Sequence, residues 1–247
     1  MANRQRAEAR RKAQAKASRS SGDGGDSGSK MRIWIGLAAV VALVVGIVVF
    51  ASRGDSNPNS AGSDTTLAGS SLPDSQPVTF TGDALAKLDD TLKPDPAVGL
   101  DAPLLSGLNF AGEPIVMDPA TKGPYMLVFL AHWCPHCNAE VPRLNDWKHS
   151  GAVPPGLNVI GVATAVSSAS ANYPPAAWFS NKGWEWPVMV DEKSGDNGEA
   201  GKAAITYGAP GWPYFVIVGA DGKVKVRVSG EVEISELQTL VDAALAA

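Results

Sequence analysis

The chain has 247 residues, 45% of them apolar and 19% charged, with a formal net charge of −4. That length holds one or two domains. Two cysteines three positions apart exclude a disulfide-stapled scaffold, because so short a bridge hardly constrains the unfolded chain. Charge is unevenly placed: nine Lys/Arg and three acids precede Ile33, whereas 12 basic and 22 acidic residues follow Ala51, giving +6 and −10.

Between these sides runs "IWIGLAAVVALVVGIVVFA", residues 33–51, without a charge. As a helix it spans roughly 28 Å, close to the ~30 Å hydrocarbon core, and is expected to be a single transmembrane helix. Basic flanks stay inside, so residues 1–32 are expected as a cytoplasmic tail and the rest as extracytoplasmic. The leader is read as a topology signal and solvated tail, with no nucleic-acid partner. A cleaved signal peptide, cut after "VFA", is the competing reading, but its apolar core is normally about 7–15 residues. Either way both cysteines lie where disulfides persist.

Of residues 52–77, 20 of 26 are Ser, Gly, Asp, Asn, Thr or Pro. Such a stretch cannot bury enough apolar surface to order itself, and residues 52–96 are expected as a flexible linker. Within it, "GDALAKLDDTL" (82–92) reads as a short surface helix.

Residues 97–247 are expected to form one domain with its own core. "PYMLVFLA" (124–131) is a continuous apolar run, as in a strand buried on both faces. A helix is expected over about 135–148, and "LNVIGVAT" (157–164) reads as a second buried strand. "PPAAWFSNKG" begins with prolines and ends at Gly183, a helix start and stop; "WPVMVD" (186–191) reads as a short strand. Strands at 214–218 and 223–228 flank the turn "GADG". In the latter, Val224, Val226 and Val228 alternate with Lys223, Lys225 and Arg227, predicting one buried and one wet face. The last helix is expected from Ser235, with Gln238 completing a capping box and an apolar stripe of Leu237, Leu240, Val241, Ala244 and Leu245. The fold class is therefore α/β: a mixed central sheet with helices on both faces.

Both cysteines sit in "FLAHWCPHCNAEVPRL" (129–144). A strand running into Cys134 and a helix starting after it place that sulfur at a helix N-terminus, where free N–H groups favour a thiolate. Pro135 suits the first helical position. Cys137 lies about one turn deeper on the same face, placed to attack a mixed disulfide at Cys134. His136, if turned toward the sulfur, adds a positive charge beside it.

"WCPHC" after an apolar strand resembles the active site of the thioredoxin superfamily, and Pro142 matches its helix-kinking proline. "GWPYFVIVGADGKV" (211–224) resembles the family's cis-proline segment, with Pro213 in the cis position. "GLDAPLLSGLNFAGEPIVM" (99–117) is similar to the N-terminal extension of the TlpA/ResA branch of membrane-anchored thiol–disulfide oxidoreductases. The resemblance implies a thioredoxin-like fold and a redox-active Cys134–Cys137 disulfide needing no cofactor or metal. Cys134 would attack, Cys137 resolve, His136 and Pro135 tune, and Glu140, three residues after Cys137, would relay its proton. Pro213, Trp212 and Trp133 would contact substrate, expected to be cysteine-containing extracytoplasmic proteins served by a membrane redox partner. The TlpA-like frame implies reduction, as in cytochrome c maturation; the Pro-His dipeptide is typical of oxidising DsbA-type enzymes. Both directions stay open.

Two departures stand out. Val128 occupies the place of the buried aspartate of cytoplasmic thioredoxins, and Trp212 is bulkier than the usual Val, Thr or Leu. Among other readings, a Sco-like copper carrier would add His132 to the cysteines and His136. An HxC pair on one strand end rarely closes a tetrahedron, however, and His132 reads as a surface residue. His149 reads as a favourable charge at a helix end. A peroxiredoxin is disfavoured because its Pro-x-x-x-Thr/Ser-x-x pattern is absent before the cysteine. A tethered binding module with an inert disulfide is disfavoured by the exposed, helix-capped cysteine that the pattern predicts.

Overall fold

Six consecutive residues, Tyr125–Leu130, form strand β4, all of them buried. Alternate side chains feed opposite cores: Met126, Val128 and Leu130 enter one apolar cluster, Tyr125, Leu127 and Phe129 the other. At ~1.5–3 kcal/mol per buried large apolar side chain, this strand anchors both layers. The computed structural model describes residues 72–247. The expected cytoplasmic tail, the apolar segment and most of the expected linker lie outside the described residues. Among the described residues, no helix is long and apolar enough to cross a membrane.

In chain order the strands are β1 (Thr79–Thr81), β2 (Leu104–Leu108), β3 (Pro114–Met117), β4, β5 (Asn158–Ala163), β6 (Val188–Val190), β7 (Tyr214–Val218) and β8 (Val224–Ser229). The helices are α1 (Pro119–Lys122), α2 (Pro135–His149), α3 (Pro175–Asn181), α4 (Lys202–Thr206) and α5 (Ile234–Ala246). Strand order is β1-β2-β6-β5-β4-β7-β8, with β3 paired to β2. β5 runs parallel to β4 and β6, whereas β7 is antiparallel to β4 and β8. The α/β sheet is thus mixed, and the fold is thioredoxin-like as the resemblance implied.

Among the described residues of the expected linker, those at 78–96, the expected surface helix included, belong to this domain instead. β1 pairs with β2, and Val78, Leu85 and Leu88 are buried. Residues 84–89 contain no helix; Leu85 and Leu88 donate their N–H groups to Thr206 and Gly208 carbonyls, both at 2.8 Å. Gly208, at φ +69°, lets the Ala86 carbonyl approach where any Cβ would strike it.

The same strap changes the far strand. Arg227, expected on a wet face, is buried, with Nε and Nη2 donating to the Asp95 carboxylate at 2.8 and 2.6 Å and Nη1 to the Ala86 carbonyl at 2.7 Å. The alternation on β8 held only in part: Val226 and Val228 pack on one cluster and Val224 in the other, across a register shift at Ile217/Val218, and chain 132 residues earlier covers Arg227.

At the C-terminus, Glu233 rather than Ser235 occupies the N-cap of α5 and makes no side-chain cap bond. Gln238 closes no capping box: its Oε1 accepts from Trp147 Nε1 at 2.6 Å, pinning α5 to α2. Leu237, Val241 and Ala244 are buried as expected; Leu240 and Leu245 are only partly so.

Candidate active site

Chain leaving β4 turns through residues 131–134, Cys134 N–H bonding to the Ala131 carbonyl at 3.0 Å, and enters α2. Cys134 is the N-cap, in extended conformation, and Pro135 the first helical residue. Helix α2 runs 15 residues with Pro142 inside it. That proline cannot donate to the Asn138 carbonyl one turn back, and Lys182 Nζ approaches this carbonyl at 3.3 Å instead.

Both cysteines are free thiols here. Cys134 keeps 5% of its surface exposed and Cys137 none. The Cys134 thiol faces the Trp212 carbonyl at 3.5 Å, and the Trp212–Pro213 peptide is cis, at the position the resemblance assigned. Trp212 is half-buried against both cores. Trp133 donates from Nε1 to the Ala165 carbonyl at 2.7 Å, which fixes its ring beside the cysteine turn.

Cys137 packs in the apolar cluster with Val128, Val141 and Phe215. Burial pushes its thiol well above the usual range, and the neighbouring Cys134 and Glu140 raise it further. A thiol so placed is inert unless a base takes its proton. Glu140, three residues on, is fully buried rather than solvated. Burial pushes its carboxyl up to about 7, against the opposing pull of Arg143 and the Val232 backbone. Neither of its oxygens has a well-formed hydrogen bond; Arg143 Nη1 stands 3.5 Å from Oε2. Val128 leaves β4 without a carboxylate near the thiols, and α2 brings one.

His136 does not hold the position imagined for it. Its side chain is 65% exposed, and Nδ1 lies 2.7 Å from Glu231 Oε1. His132, read as a surface residue, is buried. Its Nδ1 bonds the Ala171 carbonyl at 2.8 Å and its Nε2 accepts from Ser167 N–H at 3.3 Å, which defines a neutral ring donating from Nδ1. Burial lowers its pKa accordingly. His149 ends α2 as expected, 3.2 Å from Glu185.

Asn138 escaped sequence reasoning. Its Nδ2 donates to the Cys134 and His132 carbonyls at 2.9 and 3.2 Å, and its Oδ1 accepts from Trp178 Nε1 at 2.9 Å. It locks the cysteine turn to α3. Nothing in an isolated Asn after CxxC signals this, because its Trp178 partner is 40 residues away.

A cavity of about 340 Å³ lies at the other end of β4, lined by Ile115, Met117, Tyr125, Val159 and Trp186 among others. It contains none of the thiol chemistry.

The chain is similar to several known proteins. The soluble secreted antigen MPT53 of Mycobacterium tuberculosis is 28% identical over 138 residues, covering 56% of this chain and 69% of that protein. A secreted M. tuberculosis disulfide oxidoreductase homologous to E. coli DsbE is similar at 23% identity and TM-score 0.44, covering 56% of this chain and 94% of that one. A putative thiol:disulfide interchange protein DsbE from Chlorobium tepidum is similar at 22% identity and TM-score 0.47, covering 60% and 96%. The model of the AhpC/TSA family matches residues 98–227, a span holding both thiols and the cis-proline turn, and the chain belongs to that family.

Proposed function

We propose that this oxidoreductase exchanges thiols and disulfides on extracytoplasmic proteins through Cys134 and Cys137. One observation carries the reading: Cys134 caps a 15-residue helix with its sulfur against the carbonyl preceding cis-Pro213, while Cys137 lies buried behind it.

In the reducing direction, the Cys134 thiolate attacks one sulfur of a substrate disulfide, and the first substrate thiolate leaves. Cys137 passes its proton to Glu140 and attacks Cys134 Sγ. The mixed disulfide breaks, the second substrate thiolate leaves, and Cys134–Cys137 holds the disulfide. Two electrons have passed to the substrate, whose thiolates take up two protons. In the oxidising direction a substrate thiolate attacks Cys134 of the protein disulfide, and protonated Glu140 returns its proton to the departing Cys137. A second substrate thiolate then attacks the substrate sulfur of the mixed disulfide, so that Cys134 leaves as thiolate and two electrons have passed to the protein. Cis-Pro213 and Trp212 line the place where extended substrate backbone would lie, and Trp133 borders the same turn.

Cys137→Ser should accumulate a mixed disulfide with a model peptide carrying one disulfide, releasing one peptide thiol and visible by mass spectrometry, whereas Cys134→Ser should form none. Trapping through Cys137 in the Cys134 variant would overturn the assignment of attacking sulfur. The reduction potential of the pair, against glutathione buffers, decides which direction dominates.

The copper-carrier reading is disfavoured because both ring nitrogens of His132 are engaged by the Ala171 and Ser167 backbone. For location, we infer that residues 33–51 anchor the domain outside the cytoplasm, supported by the charge asymmetry around them. Alkaline phosphatase fused after Val228 should be active and sediment with membranes; activity confined to the soluble fraction would mean the segment is cleaved.

A further inference from the structure

Two charged side chains, Glu231 and Arg143, connect the exposed histidine of the active-site turn to the buried glutamate behind it. His136 Nδ1 lies 2.7 Å from Glu231 Oε1. The other oxygen of Glu231 pairs directly with Arg143 Nη2. Arg143 Nη1 reaches Glu140 Oε2 at 3.5 Å and Glu233 Oε1 at 3.4 Å. Glu231 and Glu233 come from the β8–α5 connection, Arg143 and Glu140 from α2. The guanidinium is thus shared by three carboxylates, only one of which is fully buried.

Surface ion pairs of this kind contribute little to stability. A guanidinium, however, presents its donors in a rigid fork. With one arm fixed on Glu231, the other is aimed at Glu140 and Glu233. His136, and to a smaller extent Arg143, hold Glu231 below the usual carboxylate range, so this anchor stays charged at neutral pH.

We propose that Arg143, anchored by Glu231, is a positioning residue that controls the ionisation of Glu140. The proposal deepens the reading of Glu140 as the proton acceptor for Cys137 and rests on it for its consequence in catalysis. Everything charged that faces Glu140 enters: Arg143 favours its carboxylate, Glu231 and Glu233 oppose it, and the Cys137 thiol is its partner in proton exchange. Removing Arg143 therefore makes Glu140 a weaker acid. Glu231→Gln acts the other way: it deletes a like charge facing Glu140, while the amide oxygen still accepts from the guanidinium and keeps the fork aimed. A merely structural role for the cluster predicts no such opposition of sign.

The test is a carboxyl-carbon NMR titration of the reduced full chain, labelled on glutamate side chains, with Glu140 assigned by its loss in Glu140→Gln. Arg143→Gln should raise the Glu140 midpoint by about 1–2 pH units, the effect of losing an opposite charge at this range. Glu231→Gln should lower it, and Arg143→Lys should restore most of the shift. An unmoved midpoint in Arg143→Gln, or an upward shift in Glu231→Gln, overturns the proposal. Should Arg143→Gln fail to fold, the surface substitution Glu231→Gln still decides by its sign. Single-turnover resolution of a mixed disulfide, measured against pH, separates the two readings. If the Glu140 midpoint moves as expected and the rate profile does not follow, control by Arg143 stands and Glu140 is not the base.

Discussion

Glu140 and Asp191 are both sealed carboxylates, yet their surroundings differ in kind. Asp191 directly follows β6 and accepts from Ala203 N–H at 2.7 Å, Thr164 Oγ1 at 2.8 Å and Ala204 N–H at 3.2 Å. Burial still pushes it up to about 6, but those donors favour its charge and tie α4 to the sheet. Glu140 has no well-formed hydrogen bond at either oxygen, and its carboxyl rises to about 7. A buried carboxylate surrounded by donors is structural. One left almost unsatisfied beside a buried thiol costs stability and is available to carry a proton.

The largest expected effect is on stability against pH. Folding raises the Glu140 pKa from 4.5 to about 7, so the folded state binds more protons across that window. Its stabilising contribution is complete below about pH 4.5 and is lost as pH climbs through about 7, a change on the order of 3 kcal/mol. Glu140→Gln, which cannot ionise, should be spared that loss. Urea unfolding should show the variant gaining on the wild type from pH 4.5 to 7 and holding level above. A constant difference would show that Glu140 titrates alike in the folded and unfolded chain, which would overturn the desolvation argument.

Second is the chemistry. Glu140→Gln should slow mixed-disulfide resolution by about a hundredfold, the scale of one general base, while leaving initial attack by Cys134 nearly unchanged. Stopped-flow with a fluorescent disulfide peptide separates the two steps. Equal slowing of both would remove the distinction drawn for this carboxylate.

Third, Asp191→Ala should destabilise by about 2 kcal/mol, because buried donors on Ala203, Ala204 and Thr164 lose their acceptor. Exchange per folded molecule should stay within about twofold of wild type. A large loss of turnover without loss of stability would show that this carboxylate also takes part in chemistry.

The smallest effect concerns His136. Its side chain is exposed and engaged by Glu231 rather than by Cys134. His136→Ala should therefore move the reduction potential by less than about 30 mV, equivalent to ~1.4 kcal/mol for two electrons. A larger shift would mean that the imidazole turns to the sulfur in solution.

Much of the site was readable because its signals are local. Continuous apolar runs marked β4 and β5, and the turn "GADG" marked the β7–β8 hairpin. Cys134 capping α2 follows from a strand, a proline and a three-residue spacing. Pro213 came from resemblance to a family, and no local pattern would have assigned its role. Short elements were missed: β1 and α4 carry three and five residues, too few for a hydrophobic period to show.

The linear sequence by itself determined where the longer core strands and helices form and that two thiols share one helical turn, because these depend on neighbours within a few residues. Tertiary structure alone decided which polar groups lose water. His132 is buried by a loop 35 to 39 residues on, and Arg227 by Asp95, 132 residues earlier. Glu140 sits beneath the β8–α5 connection, about 90 residues on. Desolvation depends on everything that packs over a group, and in each case the covering chain is remote in sequence. Protonation follows desolvation, so the chemical difference between Glu140 and Asp191 exists only in the folded chain.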